Sequence, residues 1–298
     1  MIKLGIVGMS PGNGHPYSWS AIFNGYNSQE MKSCDFPIIP EYLAKQRWPD
    51  CQIKSAVVES IYTGETEIAT HVAKSSNIEN VYTDLNLFIE YSDAFLLARD
   101  DVTDRYEILT KLIETKKPIF VDKPISNSIE MLEDIYSLEK YPGQIFSCTC
   151  LRYSPEMKIS ESEIKEIGLL KEIKAYVSGD WDKYSVHIIE PVVNLIGSNI
   201  KEIKLSEKNN SETIVTTSWD NDVQAKFYCS NLGKYSLKIS VIGTEKTIEL
   251  VFTDSFLSFK SGLLAFIDHI TNGNNVIEHD FHKKSVKIIE AGIGRSNE

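Results

Sequence analysis

The feature that most constrains the fold is the rhythm of residues 1–150, where short apolar runs alternate with longer helical patterns. Leu4 to Val7, Ile53 to Ser60, Ile78 to Tyr82, Ala94 to Ala98, Pro118 to Val121 and Gln144 to Cys150 read as strands. Residues 17–30, Glu65 to Ser75, Leu85 to Tyr91, Thr103 to Thr115 and 128–140 read as helices between them. Strands that are apolar throughout and separated by helices predict a parallel, doubly wound sheet covered on both faces. One connection is unusually long. Residues 31–52 contain Cys34, Pro37, Pro40, Pro49 and two apolar clusters. Stretches of this length inside a domain tend to be functional or locally structured. As an insertion it reads as part of a site, as a subunit contact or as a packed surface loop.

The second half changes character. Residues 169–178 alternate in strand fashion and 183–197 look helical. Strand-like runs follow at 200–206, 212–219, 222–230, 235–242 and 246–251. Turn residues separate them, including Asn209-Asn210, Asp220-Asn221 and Gly243-Thr244, which predicts an antiparallel meander. Helical patterns near 258–271 and 284–292 close the chain. With 298 residues, two domains are expected: 1–150, carrying the 31–52 insertion, and 151–298, an α+β domain with a large, mostly antiparallel sheet.

Charge narrows the partners. The formal net charge is -11 and the longest basic runs are pairs, Lys116-Lys117 and Lys283-Lys284. Nucleic acid is therefore not an expected partner, because a phosphate backbone needs clustered cations. No apolar run approaches the roughly 20 residues of a membrane span, and the apolar N-terminal run is too short for a signal peptide. A cytoplasmic protein is expected. The five cysteines include no C-x-x-C pair, so they read as reduced thiols rather than metal ligands, and no metal site is expected.

Three segments carry chemistry. The first strand ends in Gly8-Met9-Ser10-Pro11-Gly12-Asn13-Gly14-His15. A glycine-rich turn in this place lets backbone N–H groups approach a diphosphate. Ser10 and Asn13 stand where a G-x-G-x-x-G spacing has glycines, so the segment reads equally as a phosphate loop or a tight turn. Glu59, at the end of the second strand, is the candidate for a ribose hydroxyl, or else a solvated strand-end carboxylate. The fifth strand ends abruptly in Asp122-Lys123-Pro124. Pro124 restricts the Lys123 backbone and so directs its ammonium at a strand tip, where ligands of such sheets bind. The third segment is Lys183-Tyr184-Ser185-Val186-His187-Ile188-Ile189-Glu190. On a helix, positions 183, 187 and 190 share one face, and Pro191 requires that helix to begin shortly before it or to kink. Tyr17 and Trp19, just after the glycine turn, read as core residues or as a cover for a bound ligand.

Taken together, these segments resemble the glucose–fructose oxidoreductase / inositol dehydrogenase / MocA family. The resemblance lies in the order of the Gly loop, the Asp93–Ala98 strand and Asp122-Lys123-Pro124, where the family usually has Glu-Lys-Pro. Arg152-Tyr153-Ser154-Pro155 resembles the segment that enters the family's second domain. His187 and Glu190 match the later members of the family's Asp-x-Gly-x-His-x-x-Asp motif, while Lys183 replaces its first Asp. Ala98-Arg99-Asp100-Asp101 departs from the usual apolar-Thr-Pro. The resemblance implies a Rossmann-type domain followed by the α+β domain, and NAD or NADP as cofactor. It implies cofactor contacts from Gly8, Ser10, Gly12, Asn13, Gly14, Glu59, Arg99 and Lys123. Substrate contacts would come from Arg152, Tyr184 and Glu190. Lys123 would orient the reacting oxygen and His187 exchange its proton while hydride moves to or from nicotinamide. Lys183 would steer that proton, bind an acidic substrate, or remain solvated. The substrate implied is a sugar, cyclitol or nucleotide-sugar, and the assembly a homodimer or homotetramer. The departures leave two alternatives open: a catalytically inactive cofactor- or sugar-binding protein, and a lyase or glycosidase using transient oxidation.

Overall fold

The computed structural model describes residues 1–294; the last four positions of the expected second domain lie outside the described residues. The chain divides into two compact units. One comprises Met1–Asp122, Ile135–Ser147 and Ser255–Val276. The other comprises Lys123–Asp134, Cys148–Asp254 and residues 277–294. Both are discontinuous, whereas the sequence suggests one boundary near residue 150.

In the first unit the elements run β1 (Ile2–Val7), α1 (His15–Asn24), α2 (Ser28–Met31), α3 (Ile38–Ala44), β2 (Ala56–Tyr62), α4 (Thr66–Ser75), β3 (Asn80–Tyr82), α5 (Leu85–Tyr91), β4 (Ala94–Leu97), α6 (Tyr106–Glu114) and β5 (Ile119–Val121). Helix α7 (Ile129–Leu138) leads into β6 (Ile145–Ser147). The sheet has the order β3-β2-β1-β4-β5-β6, and all its pairs are parallel. Strands β4, β5 and β6 are buried throughout, as expected for strands covered on both faces. The order reverses direction at β1, which places a ligand crevice beyond the carboxyl ends of β1 and β4.

Local chemistry sets the boundaries. Pro16 sits in the first turn of α1, where a missing N–H costs nothing. The helix stops at Gly25, whose φ of 76° is unfavourable for other residues. The 31–52 insertion folds locally. Met31, Ile39, Tyr42 and Leu43 are buried, and a Cβ on Gly14 would come within 2.6 Å of Ile39 and 2.8 Å of Phe36. The insertion is thus packed down onto the head of α1.

In the second unit, α8 (Glu161–Ile167) starts with a capping box at Ser160 and Glu163. Then follow β7 (Leu170–Ser178), α9 (Trp181–Tyr184), α10 (Val186–Ile196), β8 (Ile200–Lys208), β9 (Glu212–Trp219), β10 (Gln224–Ser230), β11 (Lys238–Gly243) and β12 (Thr247–Val251). Helix α11 (Ser255–Asn272) belongs to the first unit, and α12 (His279–Ile293) to the second. The sheet order is β12-β11-β7-β10-β9-β8. It is mixed rather than a pure antiparallel meander, because β7 and β10 run parallel. The remaining pairs are antiparallel. Helix α10 packs on β7, and α12 on β8 and β9, so one face of the sheet is buried and β7 alternates inward and outward along its length.

The aromatic core of the first unit centres on Phe120, which is fully buried. Its ring stacks on Trp19 at 5.0 Å and meets Phe146 edge-on at 5.2 Å and Phe266 at 5.5 Å. Phe120→Ala should destabilise this unit by about 3–5 kcal/mol. Denaturant unfolding of the variant checks this, and a loss below about 1 kcal/mol would contradict the packing described.

Candidate functional site

In the first unit the glycine turn is drawn inward onto the ends of β4 and β5. Ser10 Oγ donates to Asp100 Oδ1 at 2.7 Å and accepts from the Asp100 N–H at 3.1 Å. Asn13 Nδ2 donates to Asp122 Oδ2 at 2.8 Å, while Asn13 Oδ1 accepts from the His15 N–H at 2.9 Å. His15 Nδ1 lies 2.6 Å from the same Asp122 oxygen, and its ring stacks on Trp19 at 4.7 Å. Asp122 is 1% exposed. A buried carboxylate needs such partners to offset its lost hydration.

The two residues that depart from the glycine spacing therefore shape the loop with their side chains. Part of its backbone is left unpaired. The N–H groups of Gly12 and Gly14 donate to nothing among the described residues. Gly12 has a φ of 77°, and Gly8 has no room for a side chain because a Cβ would meet Pro16 at 2.4 Å. Gly12 and Gly14 thus supply two backbone N–H donors in the loop after β1, the kind of group that an anion accepts from.

Arg99 and Glu59 are differently placed from expectation. Arg99 pairs with Asp101, its Nε donating to Oδ1 at 2.9 Å, and this carboxylate pushes its pKa further up. Its guanidinium is already neutralised within the loop. Glu59 is not at a strand tip. Strand β2 begins at Ala56 and continues to Tyr62, so Glu59 lies within it and pairs with Lys3 at 2.7 Å. Thr63, Gly64 and Glu65 follow the strand instead. Tyr17 and Trp19 are core residues, at 4% and 1% exposure.

A cation that sequence patterns do not flag supports this end of the sheet. Arg105 is 1% exposed. Its Nη1 donates to the carbonyls of Arg99 at 2.6 Å and Asp122 at 2.7 Å, clamping the segments after β4 and β5 together. Burial lowers its pKa to about 10, opposed by Asp122, Asp101 and Asp100, so it remains charged at neutral pH.

In the second unit Lys123, Tyr184 and His187 come together. Lys123 is 5% exposed and its Nζ lies 5.8 Å from the Tyr184 ring centroid. The Tyr184 ring in turn lies 6.1 Å from that of His187. Gly179, with a φ of 130°, makes room: a Cβ there would strike the Tyr184 ring at 2.3 Å. The Lys123–Pro124 peptide is cis. Lys183 lies beside Tyr184 on α9, and His187 and Glu190 lie on α10, separated from α9 by Ser185. Helix α10 starts at Val186, five positions before Pro191. The proline therefore withholds a hydrogen bond only from the His187 carbonyl.

Helical spacing correctly places His187 and Glu190 on one face, and both meet Thr149. The Thr149 hydroxyl is 2.7 Å from His187 Nδ1, and its N–H donates to Glu190 Oε2 at 2.7 Å. Thr149 is fully buried; it sits in an apolar run, where nothing local marks it as functional. Burial raises the Glu190 pKa to about 8, against the lowering effects of the Thr149 N–H and Arg152. The Arg152 guanidinium lies 3.8 Å from the Phe281 ring centroid, and its buried Nη1 has no hydrogen-bond partner among the described residues. Among those residues no three metal-binding side chains gather, and no helix is long and apolar enough to cross a membrane.

No family model matches the chain, and no curated protein matches it. Solved structures match its fold over nearly all its length. A probable dehydrogenase from Thermotoga maritima is 13% identical, with a TM-score of 0.74, covering 98% of this chain and 96% of its own. The myo-inositol dehydrogenase of Lactobacillus casei, solved with NAD(H) and myo-inositol, is 13% identical with a TM-score of 0.73, over 99% and 94% of the two chains. The scyllo-inositol dehydrogenase of that organism, solved with NAD(H) and scyllo-inositol, is 15% identical with a TM-score of 0.72, over 99% and 96%. The chain thus has the two-part fold of these dehydrogenases.

Glu190 yields a stability prediction. Its pKa rises from 4.5 to about 8 on folding, so the folded state holds a proton that the unfolded state releases, and stability falls as pH rises across that range. Glu190→Gln keeps an acceptor for the Thr149 N–H without titrating. Its Tm advantage over the parent should grow between pH 4.5 and about 8. Thermal unfolding across that range tests this, and a difference independent of pH would contradict a neutral Glu190.

Proposed function

We propose that the protein is an NAD- or NADP-dependent oxidoreductase that moves hydride between nicotinamide and a CH–OH carbon of a sugar, cyclitol or nucleotide-sugar. The observation that carries this reading is the gathering of Lys123, Tyr184 and His187, an ammonium and an imidazole flanking one aromatic ring. Such a pair can hold an alcohol oxygen and manage its proton, which is what the protein must supply when a cofactor takes the hydride. The likeness of fold to inositol dehydrogenases solved with NAD(H) supports the same reading.

Within it, the Gly12 and Gly14 N–H groups bind the dinucleotide's diphosphate, and the bound nicotinamide supplies or accepts the hydride. Lys123 orients the substrate oxygen. Tyr184 walls the pocket, and Arg152 and Lys183 meet polar or acidic groups of the substrate. Glu190, neutral through most of the physiological range, supports Thr149. The enzyme works in the cytoplasm as a homodimer or homotetramer, its copies meeting on the open face of the second sheet.

One observation favours a different function. Ser10, Asn13 and Arg99 already spend their side chains on Asp100, Asp122 and Asp101, as they would in a protein that binds a sugar without turnover. Thermal shift with NAD(H) and NADP(H) separates the two, because stabilisation by neither dinucleotide would leave only the binding protein. If one binds, a panel of polyols followed by nicotinamide absorbance identifies the substrate. Lys123→Ala should then lower turnover by at least about 100-fold while leaving dinucleotide affinity within a few-fold. Undiminished turnover would remove Lys123 from the chemistry.

A further inference from the structure

The polar groups around the end of α1 are unevenly spent, and what remains favours one kind of ligand. A groove of about 410 Å³ opens there, with Tyr26, Ser28, Trp48, Gln52 and Asn77 among its walls and no charged side chain in its lining. Its size falls within the range of about 300–1,000 Å³ usual for small-molecule sites. Asn24 holds Val58, near the start of β2, with both ends of its amide, at 2.7 and 3.0 Å. The groove therefore lies by the amino ends of the strands, opposite the crevice at their carboxyl ends. Its donors face inward. Gln52 Nε2 donates to the Phe23 carbonyl at 3.1 Å, Asn77 Nδ2 to the Asn24 carbonyl at 3.4 Å and Trp48 Nε1 to the Leu43 carbonyl at 2.8 Å. A carbonyl only accepts, so these partners fix which end of each amide is the nitrogen. The amide oxygens of Gln52 and Asn77 are left over, and neither has a hydrogen-bond partner among the described residues. Both amides converge on Gly25, where a Cβ would meet the Gln52 nitrogen at 3.2 Å and the Asn77 nitrogen at 3.8 Å.

Two further features have the same sign. Helix α1 ends at Asn24 with no basic residue in its last turn, and the partial negative charge of a helix's carbonyl end favours a cation. Beside it the rings of Tyr26 and Trp48 meet edge to face, their centroids 5.2 Å apart and their planes at 64°. Phe256 buttresses Trp48 at 5.9 Å. Aromatic faces attract cations, yet no lysine or arginine among the described residues lies over either ring. The charges that reach the neighbouring Cys51, from Lys260 and Asp50, are of opposite sign. We propose that this groove binds a small molecule carrying an ammonium or guanidinium group. Its N–H donors meet Gln52 Oε1 and Asn77 Oδ1, and its charge lies against Tyr26 and Trp48. An anion finds no charged donor in the lining. A neutral alcohol could use the amide oxygens but gains nothing from the rings' quadrupoles or the helix end. The net charge of -11 also draws cations toward the protein as a whole. The site is independent of the hydride-transfer reading.

Proton–nitrogen NMR of the full-length, isotopically labelled protein tests this without cofactor or substrate. Butylammonium and ethylguanidinium chlorides are titrated at constant ionic strength, with butanol as the neutral counterpart and sodium butyrate as the anionic one. The Trp48 indole signal is assigned by its loss in Trp48→Phe, and the Gln52 side-chain signals by their loss in Gln52→Glu. Both sets should shift saturably with the two cations, at millimolar concentrations, and stay in place with butanol and butyrate. Tyr26→Leu, which removes one aromatic wall, should weaken cation binding by about 5-fold or more, whereas Trp48→Phe keeps an aromatic face and should retain it. Thermal unfolding of each variant confirms that it is folded; Tyr26→Leu leaves the Trp48 contacts with Leu43 and Phe256 in place, so it remains informative if Trp48→Phe is unstable. Shifts as large with butanol or butyrate as with the cations would overturn the proposal. So would unchanged affinity in Tyr26→Leu, or the absence of a saturable shift with either cation.

Discussion

A single buried carboxylate holds the loop after β1 and the tip of β5 together. Asp122 accepts from Asn13 and meets His15, which ties the loop after β1 to the tip of β5. Its own carbonyl takes Arg105, which draws in the segment after β4. A carboxylate removed from water is tolerated only when its lone pairs are met. Here they are met by residues more than a hundred positions earlier in the chain. The loop conformation and the strand tip therefore form as one object.

The second unit solves a related problem with neutral groups. Histidines in proton-transfer sites are commonly oriented by a carboxylate. His187 instead meets the Thr149 hydroxyl, and the nearby acid, Glu190, is occupied by a backbone N–H and kept largely protonated by burial. The contrast with His15, which faces an Asp, is physical. One imidazole meets a carboxylate and the other a hydroxyl, although both occupy the first turn of a helix.

Much of this architecture was legible in the sequence, and the failures have identifiable causes. The inner strands were visible because each is apolar on both faces, a pattern that needs no knowledge of partners. Apolar pattern alone starts strand β2 too early: Ile53 is apolar because it is buried beside α1, where its N–H reaches the Ile22 carbonyl. That displacement made Glu59 look like a strand-end acid. Helical periodicity paired His187 with Glu190, since local geometry fixes that relation. The roles of Asn13, Arg105 and Thr149 were not legible, because each is defined by a partner distant in sequence and none of these residue types is diagnostic by itself. The mixed pairing of the second sheet was hidden for the same reason: alternation reveals a strand but not the direction of its neighbour.

The first unit is completed late. Its aromatic core, Phe120 with Phe146, is covered by Phe266 of α11, and α11 follows the whole of the second sheet in the chain. A polypeptide emerging from the ribosome therefore exposes these rings until nearly all of it has been made. An N-terminal fragment ending near residue 150 would keep them exposed permanently. Such a fragment is a candidate for chaperone capture or precipitation rather than a miniature nucleotide-binding protein.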